Sequence, residues 1–451
     1  MDYITNTDTI IFNPEFNKEL DVNLISNYTK LIFSDYKLNK KLFKHYDELE
    51  AKLTSDCAKL MFSDYELNKK FFERHENYFH TFNNNFNCEL KYENNKFNQD
   101  VSRLPYSLTH IIFGHDFNKD VSVLPHNLTH LFFGNDFNQD VSELPESITH
   151  LTFGSKFNQD VSNLPQTITH LIFGLRFDQD VSNLPQTITH LIFGEFFDQD
   201  VSNLPHTITH LIFDSQFDQD VSNLPPFLTH LIFGSNFNQD VSNLPPFLTH
   251  LIYDDDFNVE FNQNVSNLPQ SLTYLFLTEN FNQDASQLPS SLTYLIFGFE
   301  FNQDVSNLPP YLTHLTFGEY FNQDVSNLPP FLTHLIFGHK FNQDVSRLPP
   351  NITYLIFNKC FNQEISKLPS FITHLGLGRD FDKQNDIPQN IKYLILKCNN
   401  SYVINSLPNS IVELELGGIF NLELNNLPTS IKKIIIYKNS DYNEDLNCLP
   451  D

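Results

Sequence analysis

Three sets of side chains could do chemistry, because each recurs at a spacing of twenty residues. Histidine stands at His110, His130, His150, His170, His190, His210, His230, His250, His314, His334 and His374, and Tyr274, Tyr294 and Tyr354 take the same place in other units. Imidazole titrates near neutrality and readily ligates metals. A row of imidazoles therefore admits three functional readings: a ligand-binding surface, a pH-sensitive surface or a metal ladder. It also admits a plain one, a unit copied by duplication with His tolerated on a half-exposed strand. Aspartate recurs at Asp100, Asp120, Asp140, Asp160, Asp180, Asp200, Asp220, Asp240, Asp284, Asp304, Asp324 and Asp344, with Asn264 and Glu364 as alternates. Stacked carboxylates suggest calcium, as in calcium-binding β-helices. That motif is rich in Gly beside its Asp, and this one is not. An Asp that accepts from the backbone N–H two residues on, capping its own turn, is the simpler reading. Serine follows in nearly every unit, from Ser102 onward. A residue repeated so often in one structural setting is no catalytic nucleophile. There is no nucleophile–base pair, phosphate loop or zinc motif, so neither an enzyme nor a cofactor is expected. The run Asp254–Asp256 reads as a solvated loop, with a cation site as the alternative.

The elements that must position these columns are set by one sentence said many times. Phe321 to Lys340 reads FNQDVSNLPPFLTHLIFGHK, and the next unit begins at once. The beat is a Leu-Pro or Ile-Pro step, whose Pro falls at positions such as Pro105, Pro125, Pro145 and Pro165. A fixed period of this length means a solenoid of stacked coils. In the unit Phe97 to Asp116, Ile111 and Phe113 lie two apart and share one face of a strand, while His110 and Ile112 face the other way. Phe97, Val101, Leu104, Leu108, Ile111 and Phe113 are the expected core of one coil. One coil cannot close a core alone; it needs neighbours above and below, and strands stacked in this way make a parallel sheet. Gly114 and its equivalents, with Asp214, Asp254 and Asn358 as alternates, are expected to turn the chain with φ > 0; Thr278 breaks that set without an explanation. Proline in the return suits an extended segment and argues against a helix there. Asn98 and its repeats, replaced by Asp178, Asp198 and Asp218, are expected to form an internal ladder between coils.

The column beside histidine, Ile112, Phe132, Thr152, Ile172, Ile192, Ile212, Ile232 and Ile252, is apolar and reads as outward-facing. A contiguous apolar stripe on a solvent face is a hint of a partner, although His and Tyr side chains or self-association could cover it. Variation is confined to pairs such as 115–116 and 135–136 after the strand and to the pair after Leu-Pro, which would tune specificity along a rim.

Phe-Asn at the start of the unit, Leu-Pro or Ile-Pro in its middle and then L-T-H-L-I-F-G make the chain resemble FNIP repeats, a subgroup of the leucine-rich-repeat class. The match is clear from Phe97 to about Asp380. The units here have 20 residues, where FNIP units are described as having about 22. The resemblance implies an open, curved solenoid with a parallel sheet on its concave face, used mainly to bind proteins, and a source among social amoebae or giant viruses of amoebae. Some relatives carry an N-terminal F-box that recruits a ubiquitin ligase; residues 1–60 show no convincing equivalent.

The expected fold is therefore mainly β, an open leucine-rich-repeat-like solenoid of 17–18 coils with extended return segments. Residues 1–96 read as divergent repeats and a cap, with short helices at Lys40–Leu53 and Lys69–Phe82. Residues 97–380 are the regular repeats. Residues 381–451 are degenerate repeats and a C-terminal cap, in which Lys432 and Lys433 guard the last edge. The unit holding Asp254–Glu260 has 24 residues, and its four extra residues should bulge without breaking the stack.

Net charge is −27, with 46 Phe and no Trp. Nucleic acid and anionic membrane would be repelled. The expected partner is a protein with a basic or apolar surface. The five scattered cysteines show no metal spacing and fit a reducing compartment. No secretory signal and no apolar run long enough for a membrane span stand out, so a cytoplasmic location is expected, in the host if the protein is viral. The function expected is a non-enzymatic interaction scaffold binding through the concave face. The alternatives are a ubiquitin-ligase adapter and a weakly self-associating structural protein.

Overall fold

The computed structural model describes residues 96–253 and 261–437, together with the strands Tyr3–Thr5 (β1), Thr9–Phe12 (β2) and Lys30–Phe33 (β3). The helices expected at 40–53 and 69–82, the insertion at 254–260 and the end of the C-terminal cap lie outside the described residues. The chain divides into two compact units. The first is Met1–Gln239 with Leu244–Leu248 and Asp254–Asp256; the second is Phe257–Asp451 with Asp240–Asn243 and Thr249–Tyr253.

In the first unit β1 pairs antiparallel with β2, and every later pairing is parallel. β3 leads into β4 (His110–Ile112), β5 (His130–Phe132), β6 (His150–Thr152), β7 (His170–Ile172), β8 (His190–Ile192), β9 (His210–Ile212) and β10 (His230–Phe233). Register is kept throughout: His110 lies opposite His130, and Leu191 opposite Leu211. The second unit repeats the plan with β11 (His250–Tyr253), β12 (Tyr274–Phe276), β13 (Tyr294–Ile296), β14 (His314–Thr316), β15 (His334–Ile336), β16 (Tyr354–Ile356), β17 (His374–Leu377), β18 (Tyr393–Leu396), β19 (Glu413–Leu416) and β20 (Lys433–Ile436). His250 pairs with Tyr274 across a 24-residue spacing, so the longer coil leaves the register of the sheet intact. Each unit is thus a β-solenoid with one short strand per coil.

The six residues assigned to the core of the coil Phe97–Asp116 are all buried, five of them almost completely, and Ile112 joins them. In the first unit phenylalanine forms two continuous stacks, Phe97 to Phe237 and Phe113 to Phe233. Phe97 lies over Phe117 with ring centroids 6.1 Å apart, Phe113 over Phe133 at 5.7 Å, and Phe113 against Phe117, which opens the next coil, at 3.7 Å. The offset parallel packing at 5.7–6.1 Å suits aromatic quadrupoles. The return is non-helical, as its proline requires. Its extended stretches are punctuated by turns closed by Leu104 N–H to Val101 O, Leu108 N–H to Pro105 O and Phe117 N–H to Gly114 O, at 3.2–3.3 Å. One helix was not legible in the sequence: α1, Ser401–Asn405, whose N-cap Asn400 accepts from Val403 N–H and which buries Val403 and Ile404.

The expectation of φ > 0 at the repeated glycines is corrected. Among the described residues the positive-φ glycine is Gly418, at 58°. Glycine is favoured at the repeated place by closeness between coils. A Cβ on Gly134 would lie 1.9 Å from the Gly114 carbonyl oxygen, and one on Gly154 would lie 2.2 Å from that of Gly134. The non-glycine occupants turn their side chains into the backbone network. Asp214 Oδ1 accepts from Ser215 N–H at 2.7 Å, Asn358 Nδ2 donates to Phe337 O at 2.9 Å, and the buried Thr278 hydroxyl donates to Phe261 O at 3.1 Å, which accounts for the Thr in the set.

The asparagine ladder is present, and its acceptor half carries it. Asn98 Oδ1 accepts from Asn118 N–H at 3.0 Å, and Asn118 Oδ1 accepts from both Asn138 N–H and Gln139 Nε2 at 2.9 Å. Asp178 Oδ1 does the same for Asp198 N–H and Gln199 Nε2. A carboxylate can replace the amide because the bonds into the next coil call on an acceptor oxygen.

Three substitutions test this packing by urea unfolding. Asn158→Asp should leave the midpoint near that of the wild type, whereas Asn158→Ala orphans Asp178 N–H and should cost about 1–3 kcal/mol. Gly154→Val, which drives a side chain into backbone that cannot swing aside, should destabilise by at least about 1–3 kcal/mol.

Candidate functional site

The histidine column is built by pairs of successive residues, a Thr and a His. Thr109 sits before His110, and its hydroxyl shares a hydrogen bond with His110 Nδ1 at 2.8 Å. The same Thr–His pair recurs at His130, His150, His170, His190, His210 and His230 in the first unit, at 2.8–2.9 Å. Each Thr is tied to the coil before: Thr129 N–H donates to Thr109 O at 2.8 Å. The rings then have one orientation and stack, with centroids 4.2–4.3 Å apart and planes within 11° from His110 to His230. In the second unit tyrosine interrupts the stack. His314 and His334 lie 4.2 Å apart, while His250–Tyr274 widens to 5.7 Å. The column ends in charge at β19 and β20, where Lys433 Nζ reaches Glu413 Oε1 at 3.1 Å.

The rings are half-buried, and burial governs their titration. Loss of solvation, aided by the neighbouring imidazoles, holds His150 and His190 down to about 3. It brings His314 down to about 3 and His374 to about 4, and it lowers His170 and His334 as well. A protonated ring would lie face to face with the next one in a partly dry setting. His150, His190, His314 and His374 are accordingly uncharged at neutral and mildly acidic pH. Parallel rings also direct their nitrogen lone pairs side by side, whereas a metal ladder needs them to converge.

The neighbouring column is less open than its sequence suggests. Ile112, Phe132 and Ile252 are 3%, 6% and 4% exposed, and Thr152 is 4% exposed, so these coils offer little there. Ile172, Ile192, Ile212 and Ile232 remain half-exposed. The structure therefore brings His170 to His230 together with an open apolar stripe in four coils of the first unit.

The aspartate column caps turns. Asp100 Oδ1 accepts from Ser102 N–H at 3.0 Å and Oδ2 from the Ser102 hydroxyl at 2.7 Å, and the arrangement recurs down both units. The Ser102 hydroxyl and backbone N–H hold Asp100 below the usual carboxylate value, and those of Ser306 do so for Asp304. The repeated serines are the donors of these caps. One cluster that the sequence reading left among its variable pairs could ligate a metal: His115, Asp116 and Asp136. His115 Nδ1 lies 2.8 Å from Asp116 Oδ1 and 3.8 Å from Asp136 Oδ1, but Lys156 Nζ already sits 2.8 Å from Asp136. Among the described residues no helix is long and apolar enough to cross a membrane.

The FNIP Repeat family matches the chain in overlapping segments, from 97–136 through to 341–380 and again at 383–418. The chain belongs to the FNIP repeat family. Its FNIP repeats also resemble the solved structure of CroV588, described as a novel circular LRR protein and coming from a giant virus, with 34% identity and a TM-score of 0.75. That similarity covers 100% of this chain and 63% of CroV588, so the chain spans less than two thirds of its solved relative. YopM from Yersinia enterocolitica is 22% identical over 76% of each chain, with a TM-score of 0.48. InlJ from Listeria monocytogenes is 20% identical over 73% of this chain and 72% of its own, with a TM-score of 0.46. No curated protein matches the chain.

The sign of the pH dependence follows from the lowered histidines. Above about pH 6.5 both folded and unfolded chains hold neutral imidazole, and the column contributes fully. As pH falls from 6.5 toward 3 the unfolded chain takes up protons first, and that stability is lost. The unfolding midpoint should drop between pH 7 and 4, and drop less in the double variant His150→Tyr with His190→Tyr. The imidazole proton resonances of His150, His190, His314 and His374 should show no titration above pH 5.

Proposed function

We propose that this FNIP-repeat protein is a non-enzymatic protein-interaction scaffold that binds its partner through the sheet face carrying the histidine and isoleucine columns, the concave face in leucine-rich-repeat solenoids. The observation that supports this is the open stripe Ile172, Ile192, Ile212 and Ile232 beside His170, His190, His210 and His230. In the other coils from Ile112 to Ile356 the stripe closes. Rigid aromatic edges and apolar side chains on a preformed sheet lose little entropy on binding, and an uncharged face suits an apolar partner surface. The serines and aspartates that might suggest catalysis are engaged in turn caps, which leaves binding as the work of the surface.

The array itself supplies variants that should fold. Thr occupies the isoleucine column at Thr152 and Thr316, and Tyr occupies the histidine column at Tyr274 and Tyr294. In affinity capture from the native cell, the full chain with Ile172→Thr, Ile192→Thr and His170→Tyr should retain a partner at least about tenfold less well than the wild type, with an unchanged melting temperature. Equal retention would reject this face as the site.

A further inference from the structure

The position after the second residue of each Leu-Pro turn has two occupants with opposite effects. In several coils it is a hydroxyl that ties the turn to the coil before. The Thr187 hydroxyl reaches Gln166 O at 2.8 Å and Ile168 O at 2.7 Å, Thr207 repeats this against Gln186 and Ile188, and the Ser147 and Ser291 hydroxyls reach Leu128 O and Leu272 O at 2.6 Å. In other coils the hydroxyl is replaced by an aromatic ring that points to solvent. Phe227 and Phe247 in the first unit are 59% and 57% exposed, and Tyr311 and Phe331 in the second are 60% and 52% exposed. Each of these coils forgoes a hydroxyl tie and exposes a large apolar side chain instead, a poor exchange for folding alone.

The rings are held ready. Each follows a double proline, and each turn is closed by a backbone bond: Leu228 N–H to Pro225 O, Leu248 N–H to Pro245 O, Leu312 N–H to Pro309 O and Leu332 N–H to Pro329 O. Proline at the second place of a turn fixes its backbone. The aromatics come in adjacent coils and pair, with centroids 6.2 Å apart for Phe227–Phe247 and 6.0 Å apart for Tyr311–Phe331, and planes within 19°. The surrounding chain has one sign of charge. From Phe177 to His339 there is no Lys or Arg, against 19 Asp and Glu. No cation of this stretch competes for the ring faces.

We propose that each of these aromatic pairs is a docking site for a Lys- or Arg-rich segment of a partner polypeptide. The ring faces receive ammonium or guanidinium groups by cation–π contact, and the acidic coils draw the segment in. In the coil of Tyr311 the exposed Asp304 supplies such a carboxylate, whereas Asp324 in that of Phe331 already faces Arg347 of the next coil. The surface lies on the turn side of the coil and does not depend on the strand-face reading given above.

The test uses the full chain and a fluorescein-labelled nona-arginine peptide, followed by anisotropy at fixed salt, with a Gly-Ser peptide of equal length as control. The variants are Phe227→Thr with Phe247→Thr, and Tyr311→Thr with Phe331→Thr. Thr is the array's own occupant of this place, so both should fold. Each pair of substitutions should remove about half of the nona-arginine bound at saturation, the two sets together should weaken binding about five- to tenfold, and the control peptide should not bind. Equal affinity in wild type and variants would overturn the proposal, since net charge alone would then hold the peptide. A shift from dimer to monomer in the variants without peptide would overturn it too, by making a second copy of the chain the occupant.

Discussion

Every feature of this molecule depends on how closely one coil lies over the next. At Gly134 the gap to the preceding backbone is too small for a single carbon atom. That closeness makes the sheet continuous within each unit, brings the Phe rings into contact and lets one side-chain oxygen reach the N–H of the following coil. A protein interior is normally closed by elements distant in sequence. Here it is closed by the residue twenty places away, and the same contact is made again and again. The cost is that small residues or hydrogen-bonding ones are obligatory wherever the backbones approach most nearly.

The same stacking decides which side chains remain for function. Serine, aspartate and asparagine look reactive in the sequence, yet they serve the turns and the inter-coil bonds. Histidine looks like a titrating or metal-binding group, yet burial holds His150 and His190 neutral, and the threonine ties and parallel neighbours give the rings a single orientation. What the stack does not use is modest: an apolar stripe open across four coils, and aromatic rings raised on proline turns. Interaction surfaces fit this pattern better than chemistry, because an active site needs unlike groups converging on one point, and a translational repeat sets like groups in parallel rows.

Much of this could be read from the residues. The period gave the solenoid, the two-residue alternation gave the inward face, and the Asp-Val-Ser run gave the turn cap, because each follows from local geometry. Three things could not be read. The glycine column has the composition of a left-handed turn, and only the distance between coils shows that crowding is the cause. The state of the isoleucine column depends on how neighbouring coils cover it: Ile112 and Ile172 have the same immediate neighbours in sequence type but differ in exposure. The helix α1 sits in a stretch whose repeat signal has faded, and its one cue, an Asn N-cap, is common in turns as well.

The ladder of side-chain oxygens has a consequence for how such a chain changes length. Each rung accepts from the residue twenty places on and is served by the residue twenty places before, and Asn and Asp are interchangeable in it. Cutting out one whole period between Asn138 and Asn238 would bring together a donor and an acceptor of the same kinds as those removed, and adding one would do the same. The array is therefore a ruler that can be shortened or extended by single gradations, while a change of any other size would put the rungs out of step; the 24-residue step from His250 to Tyr274 nonetheless keeps the strands in register.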